Sequence, residues 1–161
     1  MSQVIIGISD QNVAKDGDIL ITYALGSCIG ICLYDDLAKV AGLSHIMLPT
    51  HIGFDASGTQ AYKFADTAIV RLIQRMQLLG AHVYRMRAKI AGGAQMFPGI
   101  NNSFLSHIGQ RNIDAVKSEL RRLNIPIIAE DTGKTYGRTQ LLYSADGRML
   151  IRSVNQEEKF Y

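Results

Sequence analysis

The side chains best suited to chemistry gather around Leu25-Gly26-Ser27-Cys28, a turn of small residues inside the uncharged run from Ile19 to Tyr34. A thiol attacks carbon well only as thiolate, so Cys28 needs a nearby base or positive dipole to bring its pKa down from about 8.5. His45 is the candidate base. Gly26 and Ser27 let the chain turn sharply and leave amide N–H groups beside Cys28 free to face an oxyanion. Each assignment has a plainer alternative. An unpaired cysteine is among the residue types most often buried, His45 between Ser44 and Ile46 fits a core histidine equally well, and Thr22 fits an ordinary β-branched strand residue. Cys32, set in Ile31-Cys32-Leu33, reads as core filler, and His51, His82 and His107 are rival bases, the last two outside any recognisable constellation.

Other chemistries fit less well. A zinc site from Cys28, Cys32, His45 and His51 has suitable ligand types, but one cysteine in a Gly-Ser turn and the other amid large apolar residues do not make a ligand knuckle. Gly133-Lys134-Thr135 ends like a phosphate-binding loop, yet Ile128 stands where its first glycine is required. Neither metal nor cofactor is expected.

The elements that must position Cys28 and His45 are strands. Val4 to Ile8, Ile19 to Leu25, Ile29 to Tyr34 and Lys39 to Met47 carry β-branched or alternating patterns, with Asp16-Gly17-Asp18 and Asp35-Asp36 as turns. Hairpin pairing sets the start of one strand beside the end of its neighbour, which is where Cys28 and His45 fall. After a loop from Thr50 to Thr59 the period changes. Phe64, Ala68, Ile69, Leu72, Ile73, Met76 and Leu79 predict a helix closed by Gly80. Val83 to Ala91 returns to alternation, placing Arg85, Arg87 and Lys89 on a wet strand face. Gly92-Gly93 ends it, and Met96 to Gly109 is irregular. Ile113, Val116, Leu120 and Leu123 predict a second helix, with Asn112 in its cap region and Pro126 beyond its end. Ile125 to Glu130, Thr139 to Ser144 and Met149 to Val154 read as closing strands, and Asn155 to Tyr161 as a tail. Many strands with two helices predict an α+β fold.

A chain of 161 residues is expected to be one domain, 1–161, burying about 68–70% of its unfolded surface. Seventeen basic against 14 acidic residues give +3, scattered too widely to argue for nucleic acid. Cys28 and Cys32 are expected to point apart and not to bridge, which fits a reducing compartment. The first ten residues lack a signal peptide's basic start, and the run from Ile19 to Tyr34 is too short and interrupted to span a membrane, so a soluble cytoplasmic protein is expected.

Four segments then occur in order over nearly the whole chain: Gly26-Ser27-Cys28, Ser44-His45-Ile46-Met47-Leu48-Pro49, Lys89-Ile90-Ala91-Gly92-Gly93-Ala94 and Glu130-Asp131-Thr132-Gly133. In these the chain resembles the CheD family, the chemoreceptor glutamine deamidases of bacterial and archaeal chemotaxis. The resemblance implies two packed mixed sheets flanked by helices, similar to the catalytic domain of cytotoxic necrotizing factor toxins. It also implies Cys28 as nucleophile, His45 as base, Thr22 as the residue orienting the histidine, and a glutamine on the cytoplasmic helices of a chemoreceptor as substrate. A CheC-type phosphatase is the implied second partner. The rival reading is a non-catalytic regulatory module for that phosphatase. One departure stands out: where members commonly carry paired glycines after Asp-Thr, this chain has Gly133-Lys134. Met96 and Phe97, large and apolar in the irregular segment, are expected to wall a substrate groove or partner surface.

Overall fold

The computed structural model describes residues 2–96 and 107–161. The strands are β1 (Gln3–Ile6), β2 (Asp10–Ala14), β3 (Ile19–Leu25), β4 (Ile29–Asp35), β5 (Val40–Ile46), β6 (Met86–Gly92), β7 (Ile127–Thr132), β8 (Arg138–Tyr143), β9 (Met149–Arg152) and β10 (Lys159–Phe160). Helix α1 spans Ala65–Gln77 and helix α2 spans Ile108–Arg122. One five-stranded sheet runs β1-β3-β8-β9-β10, the other β2-β5-β4-β6-β7. Both are mixed: β1 pairs parallel with β3 and β6 with β7, and the other pairings are antiparallel. This is the α+β class expected from the pattern, in the layered two-sheet arrangement that the resemblance implied.

The two-residue period of β4 and β5 separates two cores. Ile29, Ile31 and Leu33 of β4 join Ala68, Ile69, Leu72, Val116 and Leu120 of the helices. On its other face, Cys28 and Cys32 join Ala41, Leu43, Leu20, Leu25 and Leu142 between the sheets. Both helices pack on the β2-β5-β4-β6-β7 sheet, so the layers run helices, sheet, sheet. Ala65, Ala68, Ile69, Leu72, Ile73 and Met76 form the buried stripe of α1. Each large member of that stripe contributes about 1.5–3 kcal/mol by leaving water. Gly80 ends this region with a φ of 99°, which suits glycine.

Several expectations need correction. β2 is an additional strand, and the supposed tail ends in β10, paired to β9 through Lys159 and Phe160. Lys89 and Arg85 do not lie on a wet face. Lys89 Nζ donates to the carbonyls of Gly147 and Tyr161, and Arg85, in a short 3-10 turn before β6, pairs with the buried Asp35. Cys28 and Cys32 share the inter-sheet face and are free. What keeps them apart is four residues of strand, roughly 13 Å. α2 begins at Ile108, so Asn112 lies inside the helix rather than at its cap.

Candidate active site

Pairing between β4 and β5 sets Gly30 opposite His45. Cys28, two residues before Gly30 on the same face, is therefore diagonal to His45 across the strand pair. The space over Gly30 belongs to Gln140 of β8, whose Nε2 donates to Gly30 O at 3.1 Å, so a Cβ at position 30 would overlap that amide. Gln140 is the register partner of Thr22. Cys28 and His45 thus stand with one sheet and Thr22 on the other, facing across the inter-sheet core.

Thr22 Oγ1 lies 2.7 Å from Ile6 O and 2.7 Å from His45 Nδ1. A carbonyl only accepts, so the hydroxyl spends its one proton on Ile6 and must accept from the imidazole. That assigns the proton of neutral His45 to Nδ1 and leaves Nε2 with the free lone pair. Nε2 is buried and without a hydrogen-bond partner among the described residues. Thr22 and His45 are both 0% exposed and Cys28 is 9% exposed.

Burial governs both titrations. It pushes the Cys28 thiol up, opposed by its own backbone N–H, and pushes the His45 imidazole down to about 4. At neutral pH the pair is a thiol and an imidazole, not the ion pair that a lowered thiol pKa would give.

The turn before Cys28 is held from outside. Gly26 O accepts from Ala94 N and Cys28 O from Gly93 N, both at 2.9 Å. Ser27 O accepts from Asn112 Nδ2 at 2.9 Å. Gly92, at φ 108°, lies so close that a Cβ would overlap Cys28 O. Met96, 40% exposed, sets its Cγ 3.1 Å from the Cβ position of Gly26, so it does border the turn. Phe97 lies outside the described residues. A cavity of about 280 Å³ lined by Gly93, Gln95, His107, Gln110, Gly133 and Lys134 adjoins this region. A larger one of about 700 Å³, lined by Arg87, Lys117, Arg121 and Glu130, opens at the β7 edge away from Cys28.

Of the rival residues, His107 lines the small cavity next to the turn, and the others go elsewhere. His51 Nδ1 pairs with Asp66 Oδ2 at 2.8 Å, the His82 backbone N–H donates to Asp35, and Cys32 Sγ accepts from Gln140 within the core. No group of three or more metal-ligating side chains occurs among the described residues. No helix among them is long and apolar enough to cross a membrane.

The model of the family described as CheD chemotactic sensory transduction matches residues 47–153. The chain belongs to the CheD family. It is 49% identical over 155 residues to the probable chemoreceptor glutamine deamidase CheD of Caldanaerobacter subterraneus, covering 96% of this chain and 95% of that one. It is 46% identical over 154 residues to the chemoreceptor glutamine deamidase CheD of Halalkalibacterium halodurans, covering 96% and 95%, and 46% identical to a probable CheD of Clostridium botulinum. The CheD model match begins at Met47, past Cys28 and His45, whereas the matches to whole relatives take in nearly the full chain. Lys134, where the CheD resemblance leads one to expect a second glycine, has φ 63°, so the loop keeps a glycine-like conformation without the glycine.

Asn112 and Gln140 were not found by motif. The signal for Asn112 is a polar residue in the ladder Ile108–Asn112–Val116, one helical turn apart on the buried face. Gln140, between Thr139 and Leu141, offers only an inward polar position in an apolar strand.

Proposed function

We propose that the protein is a protein-glutamine deamidase of chemoreceptors, with Cys28 as nucleophile, His45 as general base and acid, and Thr22 orienting the imidazole. The observation that carries this is the Ile6–Thr22–His45 hydrogen-bond chain, which leaves Nε2 as the unprotonated nitrogen, with the free Cys28 diagonal to His45 across the β4–β5 pairing. His45 Nε2 takes the Sγ proton as sulfur bonds to the carboxamide carbon, and the carbonyl electrons move to oxygen. The N–H groups of Ser27 and Cys28 hold that oxyanion. Collapse breaks the C–N bond, and the proton on His45 leaves with ammonia. Water, deprotonated by His45, then opens the thioester, giving glutamate and restoring the thiol. Because burial keeps the resting pair neutral, the proton moves during attack rather than before it.

The names of the relatives supply the substrate: a glutamine of a chemoreceptor. The same acyl-enzyme would also release a receptor glutamyl methyl ester. On this reading the chain acts in the cytoplasm as one hydrolase domain, with Met96 and Phe97 at the receptor-facing wall and a CheC-type phosphatase as second partner. The test is site-resolved mass spectrometry of a receptor cytoplasmic fragment after incubation with the protein. Glutamine converted to glutamate at defined positions is expected; a fragment left unmodified overturns the activity and leaves a binding module.

A further inference from the structure

The peptide groups around Ser27 are aimed by three separate grips, and only one comes from a side chain. Ala94 N holds Gly26 O, Gly93 N holds Cys28 O, and between them Asn112 Nδ2 holds Ser27 O. The second proton of Nδ2 goes to Met47 O at 3.0 Å, two residues past His45. Both contacts are carbonyl oxygens, which fixes the amide with its nitrogen toward them. Asn112 is 0% exposed and lies inside α2, so it stands as a buried post between the turn before Cys28 and the end of the strand carrying His45.

In a planar trans peptide the C=O of one residue and the N–H of the next point in opposite directions. Holding Ser27 C=O toward α2 turns the Cys28 N–H away from α2, toward the inter-sheet face that bears Sγ and His45. Among the described residues the N–H groups of Ser27 and Cys28 have no acceptor in another residue, and that of Cys28 faces its own thiol. Without Asn112 the Ser27–Cys28 peptide keeps its neighbours' restraints but loses the one that sets its own plane.

We propose that Asn112 is the positioning residue that aims the Cys28 N–H at the reaction's oxyanion, while its grip on Met47 keeps that donor in register with His45. The proposal rests on Cys28 being the nucleophile, and its test separates the two. The protein and its Asn112→Ala variant are compared in receptor deamidation and in alkylation of Cys28 by iodoacetamide across pH. Alkylation displaces iodide from a saturated carbon and builds no oxyanion, so it reads the thiol and base alone. A directly lost oxyanion donor costs about 10²–10³ in kcat, so a misaimed one is expected to cost about 10- to 100-fold, with KM and the alkylation profile unchanged. Should the alanine variant lack a cooperative melt, Asn112→Ser, which keeps one short donor, is read the same way. An unchanged kcat overturns the proposal. So does a parallel fall in alkylation, which would place Asn112's effect on the thiol and imidazole instead. Deamidation surviving Cys28→Ala in the same assay would sink the nucleophile assignment itself.

Discussion

Thr22 links two sheets through one hydroxyl, and the direction of its proton decides which nitrogen of His45 can act. Thr22→Val keeps the shape and removes both bonds. The Nδ1 proton is then left buried without its partner, at about 1–3 kcal/mol, while the Ile6 carbonyl stays in the β1–β3 ladder. We expect kcat to fall about 10- to 100-fold, less than the 10²–10⁴ of the whole acid–base contribution, because the imidazole remains but its tautomer and tilt are no longer set. Steady-state deamidation by Thr22→Val, with Thr22→Ser as the variant that restores the hydroxyl, checks this; equal losses in both would remove the hydrogen bond from the account. At this scale the Gly-Ser turn before Cys28 and the strand-end place of His45 were legible in the residues, while the roles proposed for them came from the resemblance to the CheD family. Asn112 was misread as belonging to a cap, since only the packed helix reveals that its amide spans two carbonyls from other segments.

Among the elements, the close approach of β6 to the Cys28 turn sets the tightest demand. Gly92 combines φ 108° with backbone of Cys28 where a Cβ would stand. Gly92→Ala is therefore expected to cost about 2–4 kcal/mol and to depress activity by displacing the Cys28 carbonyl. Gly53, at φ 89° with open space around it, is the control, expected to lose only the backbone penalty of about 1–2 kcal/mol. Urea denaturation of both variants measures the difference; equal losses would mean that the approach to Cys28 is not a restraint. The central strands and α1 were readable because burial imposes a clear period on them. β2 and β10 were not, because they are edge strands: Gln11 of β2 points inward to hydrogen-bond Ser44 and the Ala68 carbonyl rather than packing as an apolar residue. Likewise Arg85 looks like a solvent-facing charge until the fold brings Asp35 to it across 50 positions of chain.

In the whole molecule, the site lies in the layer between the sheets, so its chemistry and the stability of the fold share one core. Burial holds His45 down to about 4 from an ordinary value of 6.5. The unfolded chain then binds a proton between those values that the folded chain does not. The stability from keeping His45 neutral is complete above about pH 6.5 and is lost as pH falls toward 4, by up to roughly 3 kcal/mol. Comparing urea midpoints at the two ends of that window for the protein and for His45→Gln isolates the effect, since the other titrating groups are common to both. A smaller acid loss in the variant is expected, and an equal loss would contradict it.

The account's central claim is that Cys28, not Cys32, attacks the glutamine amide, and folded single variants test it most directly. The conversion of receptor glutamine to glutamate is followed by mass spectrometry with the protein, Cys28→Ala and Cys32→Ala, each first shown to melt cooperatively. Cys28→Ala should lose activity by several orders of magnitude, roughly the 10⁴–10⁶ typical of a missing nucleophile, while Cys32→Ala should lose stability but keep its turnover. Conversion by Cys28→Ala at close to the unaltered rate would contradict the account.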